Sequence, residues 1–228
     1  MAVLFLEPPF FITMIDKIEF VFLGMNLLEP MAMVTNLFVI FVCVYGYKMS
    51  KHKNTKYWNL FFALFALASF FGGLSHLFWN YWGFYGKILP WLLGVAATSF
   101  LTYAMVRLFG FSAQTERKLV ILLILKAVVL LLLAFWNWNF LFVAIDTIFS
   151  LVLACGIGGW ILFYTKKSEN VKYILQGVLA MLPAAFIFLF KFDAHDWLNR
   201  EDLSHILIAM GLLFFVSFTK KVALDQVS

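Results

Sequence analysis

Seven apolar runs decide what this chain can fold into. Crossing the hydrocarbon of a bilayer takes roughly 20 apolar residues in a helix, and the sequence offers seven stretches of that kind. They run from about Leu28 to Tyr47, Trp58 to Trp79, Ile88 to Leu108, Leu119 to Trp136, Phe140 to Tyr164, Val171 to Phe190 and Leu203 to Thr219. Backbone polar groups in hydrocarbon must be paired within their own segment, so such runs fold as helices. A membrane β-barrel would alternate apolar and polar residues, and these runs do not. The expected fold is all-α: a polytopic seven-transmembrane-helix bundle.

Composition supports that expectation. Of the 228 residues, 64% are hydrophobic and 13% charged, against about 45–50% and 25% in soluble domains. The net charge of +5 does not point to nucleic acid, because the basic residues sit in short clusters between the apolar runs. Cys43 and Cys155 lie inside apolar segments and read as small packing residues rather than a metal knuckle or redox pair.

The charge pattern also orients the chain. Lys48, Lys51, Lys53 and Lys56 follow the first run; Arg107, Arg117 and Lys118 the third; Lys166, Lys167 and Lys172 the fifth; Lys220 and Lys221 the seventh. The alternate loops carry only Lys87, Lys191 and Arg200. Cytoplasmic loops are enriched in Lys and Arg, so the N-terminus is expected outside and the C-terminus in the cytoplasm of a cell membrane. Met1 to Phe11 lacks a basic start, and Glu7, Pro8 and Pro9 interrupt it, which argues against a cleaved signal peptide. Ile12 to Gly24 mixes Asp16, Lys17 and Glu19 with apolar residues and reads as a segment lying on the membrane surface. The chain thus divides into an interfacial segment (1–27), a helical domain (28–221) and a cytoplasmic tail (222–228). Tyr57, Trp58, Trp79, Tyr81, Trp82, Trp91, Trp136 and Trp138 fall near the run ends, where amphipathic rings serve as interfacial anchors.

Polar and ionisable residues at membrane depth are costly, and each is a candidate for function. Glu29 and Asn36 on the first run, His76 at the end of the second, Asp146 in the fifth, and Asn199, Glu201, Asp202 and His205 at the head of the seventh all fall in the outer half under that orientation. Two histidines and several carboxylates at one depth suit a divalent metal such as zinc, with water in the remaining position. Glu201 and Asp202 precede His205 by one helical turn and share its face, and His76 is the candidate ligand from the second run. Asp146 is a candidate general base, and Ser75 or Ser69 a candidate oxyanion donor. Plainer readings compete. Asn26 and Glu29 can form a helix N-cap, as can Asn199 to Asp202. Asp146 can pair with a neighbouring helix, and Lys126 can snorkel to the cytoplasmic interface.

Three short blocks resemble the alkaline ceramidases and related seven-helix hydrolases, the CREST superfamily. Glu29-Pro30-Met31-Ala32-Met33-Val34-Thr35-Asn36-Leu37 is similar to that family's first-helix pattern, an acid followed by Ser/Thr-Asn. Asp202-Leu203-Ser204-His205 with the apolar run to Gly211 is similar to its last-helix pattern, and Gly73-Leu74-Ser75-His76 to its Ser and His region. The resemblance implies a zinc held by three histidines, with a serine and an aspartate beside it. Carried over, His76 and His205 match two ligands, and Glu201 stands where the third histidine would, beside Asp202. The family serine falls on Gly72, for which Ser75 or Ser69 can substitute. The third run has no acid to match the family aspartate, and Asp146 is the replacement. The expected function is a membrane-embedded, metal-dependent hydrolase acting on an amide or ester bond of a membrane lipid that enters laterally between helices. A small transporter would need a polar path through both leaflets, and the inner half offers only Gln176 and Lys126. A non-catalytic scaffold or assembly protein would use the same cluster structurally. A retinal protein is disfavoured, because the last run has no lysine at mid-depth.

Overall fold

The computed structural model describes residues 18–51, 55–166, 168–190 and 192–224. The charges at Asp16, Lys17, Lys53, Lys167 and Lys191, most of the expected interfacial segment and the last four residues of the expected tail lie outside them. Among the described residues the regular structure is helical apart from one hairpin and an isolated bridge between His195 and Leu198. Its elements are β1 (Glu19–Phe22), β2 (Met25–Leu28), α1 (Pro30–Met49), α2 (Lys56–Leu77), α3 (Trp79–Trp82), a 3₁₀ turn (Gly83–Lys87), α4 (Ile88–Phe109), α5 (Ala113–Asn137), α6 (Leu141–Ile148), a π-helical stretch (Phe149–Ile157), α7 (Gly158–Lys166), α8 (Val171–Leu189) and α9 (Arg200–Leu224). The stretch from α6 to α7 is one continuous span, and seven spans are long and apolar enough to cross a membrane.

Each run begins and ends where local chemistry allows. Gly110 closes α4 at φ 67°, the left-handed position that glycine adopts at helix ends. The Ser112 hydroxyl accepts from Thr115 N–H at 3.3 Å and starts α5. That start is Ala113, well before the expected Leu119, because the polar first turns add to the helix without being apolar enough to show in the run.

The segment expected at the membrane surface is, from Glu19 on, a two-stranded antiparallel hairpin with Glu19 opposite Leu28. Leu23 (φ 50°) and Gly24 (φ 77°) make its two-residue turn, both left-handed as a type I′ hairpin requires. Val21, Phe22 and Leu23 are exposed at its tip. Asn26 lies in β2 and so does not cap α1, contrary to the sequence reading. Glu29 stands at the cap position with φ 46°, and Pro30 opens the helix, where its missing N–H costs nothing.

The bundle packs around α9. Half of the α9 span is buried, against 6% of α5, which lies at the edge. α1 packs on α2 and α9, α2 on α4, and α8 on α9. The main core brings together Val39, Trp58, Phe62, Leu101, Ile174 and Phe215. Trp58 and Trp91, expected as interfacial anchors, are 2% and 6% exposed and are core residues. The Trp58 ring meets Phe215 and Phe218 with centroids 5.7 and 5.1 Å away. Trp136, at 86% exposure, stays on the exterior near the end of α5. The exterior is apolar: Ile121, Leu122, Ile124, Leu125 and Leu132 of α5 are each more than half exposed. A soluble monomer rarely shows so large a contiguous apolar surface, and a membrane protein is what the seven spans suggest.

α8 and α9 cross with their backbones touching. A Cβ on Gly177 would lie 2.9 Å from the Gly211 carbonyl oxygen, and one on Gly211 would lie 2.7 Å from that of Gly177. Small residues permit such close crossings in apolar surroundings. Gly211→Leu is expected to force the pair apart and cost about 3 kcal/mol, read as a lower unfolding midpoint in detergent. The same change at Gly94, where a Cβ meets nothing within 4 Å, is expected to leave the midpoint nearly unchanged.

Candidate functional site

Three segments bring polar groups together at the hairpin end of the bundle. Glu29 stands at the head of α1, His76 in the last turn of α2 and Glu201 in the first turn of α9. One donor atom from each lies within 4.8 Å of the others. His76 Nδ1 is 2.8 Å from Glu29 Oε2, and its Nε2 is 3.3 Å from Glu201 Oε2. Lys87, at the end of the 3₁₀ turn, places Nζ 2.8 Å from the same Nε2. Glu29 and His76 are largely enclosed, with 10% and 15% of their side chains exposed, while Glu201 keeps 35% and forms the open side.

Close packing puts these residues in reach. A Cβ on Gly73 would lie 3.3 Å from Met33 Cα, so α1 and α2 touch one turn before His76. Gly86 lets the 3₁₀ turn press on α2, since its Cβ would meet Ser75 Cβ at 3.3 Å. That contact sets Lys87 beside His76. The hairpin lies over the same end, where Asn26 N–H donates to the Tyr81 hydroxyl at 3.1 Å.

Hydrogen-bond roles follow from the partners. A lysine N–H needs a lone pair to donate to, and neutral imidazole has one on only one nitrogen. With Lys87 at Nε2, the proton sits on Nδ1 and is donated to Glu29. A carboxylate on one ring nitrogen, with the other nitrogen presented to the site, is the pattern that orients metal-bound histidines.

The remaining candidates divide into those beside the cluster and those apart from it. His205 lies near His76, Glu201 and Lys87. Its Nδ1 faces Thr35 Oγ1 at 3.1 Å and Asn36 Nδ2 at 3.4 Å, which leaves Nε2 for any other partner. Asp202 is a structural acid. Its Oδ1 faces Thr35 Oγ1 at 3.1 Å, and its Oδ2 accepts from Asn199 N–H at 3.2 Å. The Asn199 side chain accepts in turn from the N–H groups of Glu201 and Asp202 at 2.8 and 3.1 Å. This reciprocal cap is the plainer sequence reading of Asn199 to Asp202. Asn36 donates to Ala32 O at 2.7 Å. Ser75 is fully buried, and its hydroxyl donates to Gly72 O at 2.7 Å. It does not face the cluster as an oxyanion donor would. Ser69 is buried two turns further down α2.

Asp146 belongs to a second cluster. It lies on α6, which packs on α4, α5 and the π-helical stretch, and it is not among the donors that meet at His76. The expectation of a general base there gives way to the plainer one of a helix-pairing acid. Its Oδ1 is 2.7 Å from Lys126 Nζ on α5, and its Oδ2 accepts from the Thr98 hydroxyl on α4. Lys126 therefore does not snorkel. It sits in the middle of α5 and is 15% exposed, with Nζ 4.6 Å from the Phe149 ring centroid. The 2.7 Å contact is an ion pair whose angles fall outside hydrogen-bond geometry, so neither atom has a hydrogen-bond partner. Thr102 donates to Ser150 Oγ at 3.0 Å, and Ser150 to Asp146 O at 3.0 Å. Sequence reading missed Lys87 and the Lys126–Asp146 pair. The signal for the pair was present: opposite charges, Lys126 about three turns before the Asn137–Phe140 connection and Asp146 about two turns after it, meet when the helices turn back on each other.

These features define a class of protein: an all-helical bundle of seven long apolar spans with a carboxylate–histidine cluster at one end. Residues 31–223 match a family described as a family of unknown function, DUF6962, and the chain belongs to that family. No curated protein and no solved structure matches it.

Breaking a buried ion pair leaves a charge without compensation and costs about 3–5 kcal/mol. Lys126→Met and Asp146→Asn are each expected to lower stability by about that much, and the double variant by clearly less than the sum. Denaturation of the four proteins in one detergent closes the cycle. Additive losses would show that the contact contributes nothing.

Proposed function

We propose that the chain is a membrane-embedded, metal-dependent hydrolase of a lipid amide or ester bond, with its site near the outer membrane face. The observation that carries this reading is the 3.3 Å between His76 Nε2 and Glu201 Oε2. With the ring proton on Nδ1 both atoms offer lone pairs, and a cation at Nε2, the Lys87 ammonium or a metal, makes that approach favourable. A tetrahedral zinc with bonds of about 2.0–2.1 Å has ligands about 3.3–3.4 Å apart. The donor set fits the ion: His76 and Glu201 would hold it, His205 is the next donor, and Glu29 orients His76 through Nδ1. A bound metal of this kind supplies a water of lowered pKa and polarises a substrate carbonyl. The chain's own residues fix the imidazole tautomer, present a carboxylate on the open side, and cover the site with the hairpin and α3. The resemblance of the first, second and last spans to the ceramidase-like hydrolases supports the same reading. So does the position of the cluster at a span end, where an ester or amide near a lipid headgroup would lie.

The Lys87 contact favours a second reading. Its ammonium can be the permanent cation of the site, and the cluster then ties α1, α2 and α9 together in a non-catalytic scaffold.

Metal content separates the two. Protein purified without chelators and equilibrated with zinc is expected to carry about one ion per chain. His76→Ala and Glu201→Ala are expected to lose it, Glu29→Gln to weaken it about 10–100-fold, and Asp146→Asn to keep it. Wild-type protein that takes up no zinc would sink the hydrolase reading.

The orientation is part of the proposal. Lys51, Arg117 and Lys166 lie at the end opposite the cluster, and the positive-inside tendency puts that end in the cytoplasm. Both native cysteines are buried, so cysteines introduced at Lys51 and Tyr85 can be labelled with little background. An impermeant thiol reagent applied to intact cells is expected to reach position 85 and not position 51. The reverse pattern would invert the topology.

A further inference from the structure

Among the described residues, Lys87 is the cation whose contact lies on the atom that a metal would need. Its Nζ is 2.8 Å from His76 Nε2, and the Glu201 carboxylate oxygen is 3.3 Å from that nitrogen. The ammonium therefore sits on the same ring nitrogen that the Glu201 carboxylate approaches. The placement is built into the fold. Gly83, at φ 49°, turns the chain out of α3, and Gly86 seats the 3₁₀ turn against Ser75. The four-carbon stem of lysine is flexible, and its head is a compact point charge. Nζ also lies 5.8 Å from the Trp79 ring centroid, near the edge of cation–π range.

We propose that Lys87 is a tethered competitor for the metal position: it holds the site when no ion is bound, and an incoming divalent cation must displace it. The inference rests on the metal reading above. With Lys87 in place, two carboxylates and one ammonium leave the site with one negative charge. That residue of charge attracts a divalent cation, while the ammonium denies it the Nε2 lone pair. Metal loading and the position of Lys87 are then two states of one switch. The lysine sets the concentration at which the site fills and keeps the open carboxylate of Glu201 from standing uncompensated in apolar surroundings. Displaced, it stands at the rim under the hairpin, beside whatever enters the site.

The test compares wild type with Lys87→Met, which keeps the length of the stem and removes the charge. Arg200→Met removes a charge at the same end without touching His76, and measures how much of any change is long-range. Zinc affinity is read by titration calorimetry on the full chain in detergent, after gel filtration confirms the folded state. Lys87→Met is expected to bind at least ~10-fold tighter than wild type, about 1.4 kcal/mol, and Arg200→Met to stay within ~2-fold of wild type. A second readout follows the amine itself. Acylation of Lys87 by a water-soluble ester, located by peptide mass spectrometry, is expected to rise several-fold when zinc saturates the wild-type protein. If Lys87→Met and wild type bind zinc equally and Lys87 labelling is indifferent to zinc, the competitor role is overturned while the metal reading stands. If neither protein binds zinc, both fall together. Binding by Lys87→Met alone would overturn the displacement, because the lysine would then be the permanent cation of the site, and the hydrolase reading would fall with it.

Discussion

The pairing of polar atoms inside an apolar coat is the constraint that the rest of this structure depends on. The outward faces of the helices carry Leu, Ile, Val and Phe, so charge can be satisfied only where helices meet or end. Two such meetings hold the helices together within the bundle. At the hairpin end, Glu29, His76, Lys87 and Glu201 meet from four different segments. In the interior, Lys126 and Asp146 meet across α5 and α6. Neither meeting is local in sequence, and each needs a particular packing. The first needs the glycine contact of α2 with α1 and of the 3₁₀ turn with α2. The second needs α5 and α6 to return on each other in register. An unpaired charge in such surroundings costs far more than a surface one, so the polar contacts select the arrangement of helices that the apolar surface alone would leave loose.

The fold was legible in the sequence because length and hydropathy carry it. Five of the seven expected spans match the observed helices to within two residues at both ends. The exceptions have local causes. α5 and α9 extend past their apolar runs because Thr115, Glu116, Arg200 and Glu201 are acceptable in a first turn and carry no hydropathy signal. The hairpin was missed because four-residue strands among mixed charges have no readable period. Trp58 and Trp91 read as anchors because aromatic residues near run ends usually are. Only packing shows that Trp58 faces Phe215 and Phe218.

The site was legible in part. Depth alone gathered the right end of α2 and the right end of α9, and the spacing of Asn199 and Asp202 gave the cap. Depth cannot say which way a side chain turns. Glu201 rather than Asp202 meets His76, because Asp202 sits at the third helical position, where its carboxylate reaches back to Asn199 N–H. Glu29 read as a helix starter, yet its left-handed backbone at the hairpin exit frees the side chain to reach His76. Asp146 matched the depth of the others but lies on the far side of α4. No rule of spacing could have found Lys87: it enters through the turn between two spans, held there by Gly86.

The two clusters differ in a way that bears on function. The interior pair is closed, with Asp146 fully buried and the aromatic face of Phe149 over the ammonium. It fixes α5, the least enclosed span, to the rest, and the widened π-helical turns beside it bring Ser150 and Phe149 to face it. The cluster at the hairpin end is open on the Glu201 side and has more charge than a structural tie needs. A single neutral hydrogen-bonded pair would join α1 to α2 at less cost than two carboxylates, an imidazole and an ammonium brought together under a lid. That excess is what makes the proposed metal site more economical as an explanation than a scaffold. An oxygen donor from Glu201, in the place where the similar hydrolases carry a third histidine, makes the site harder in ligand character. In that proposal the harder donor would lower the preference for zinc over other divalent ions, and selection of the ion would fall to geometry and to the charge of Lys87.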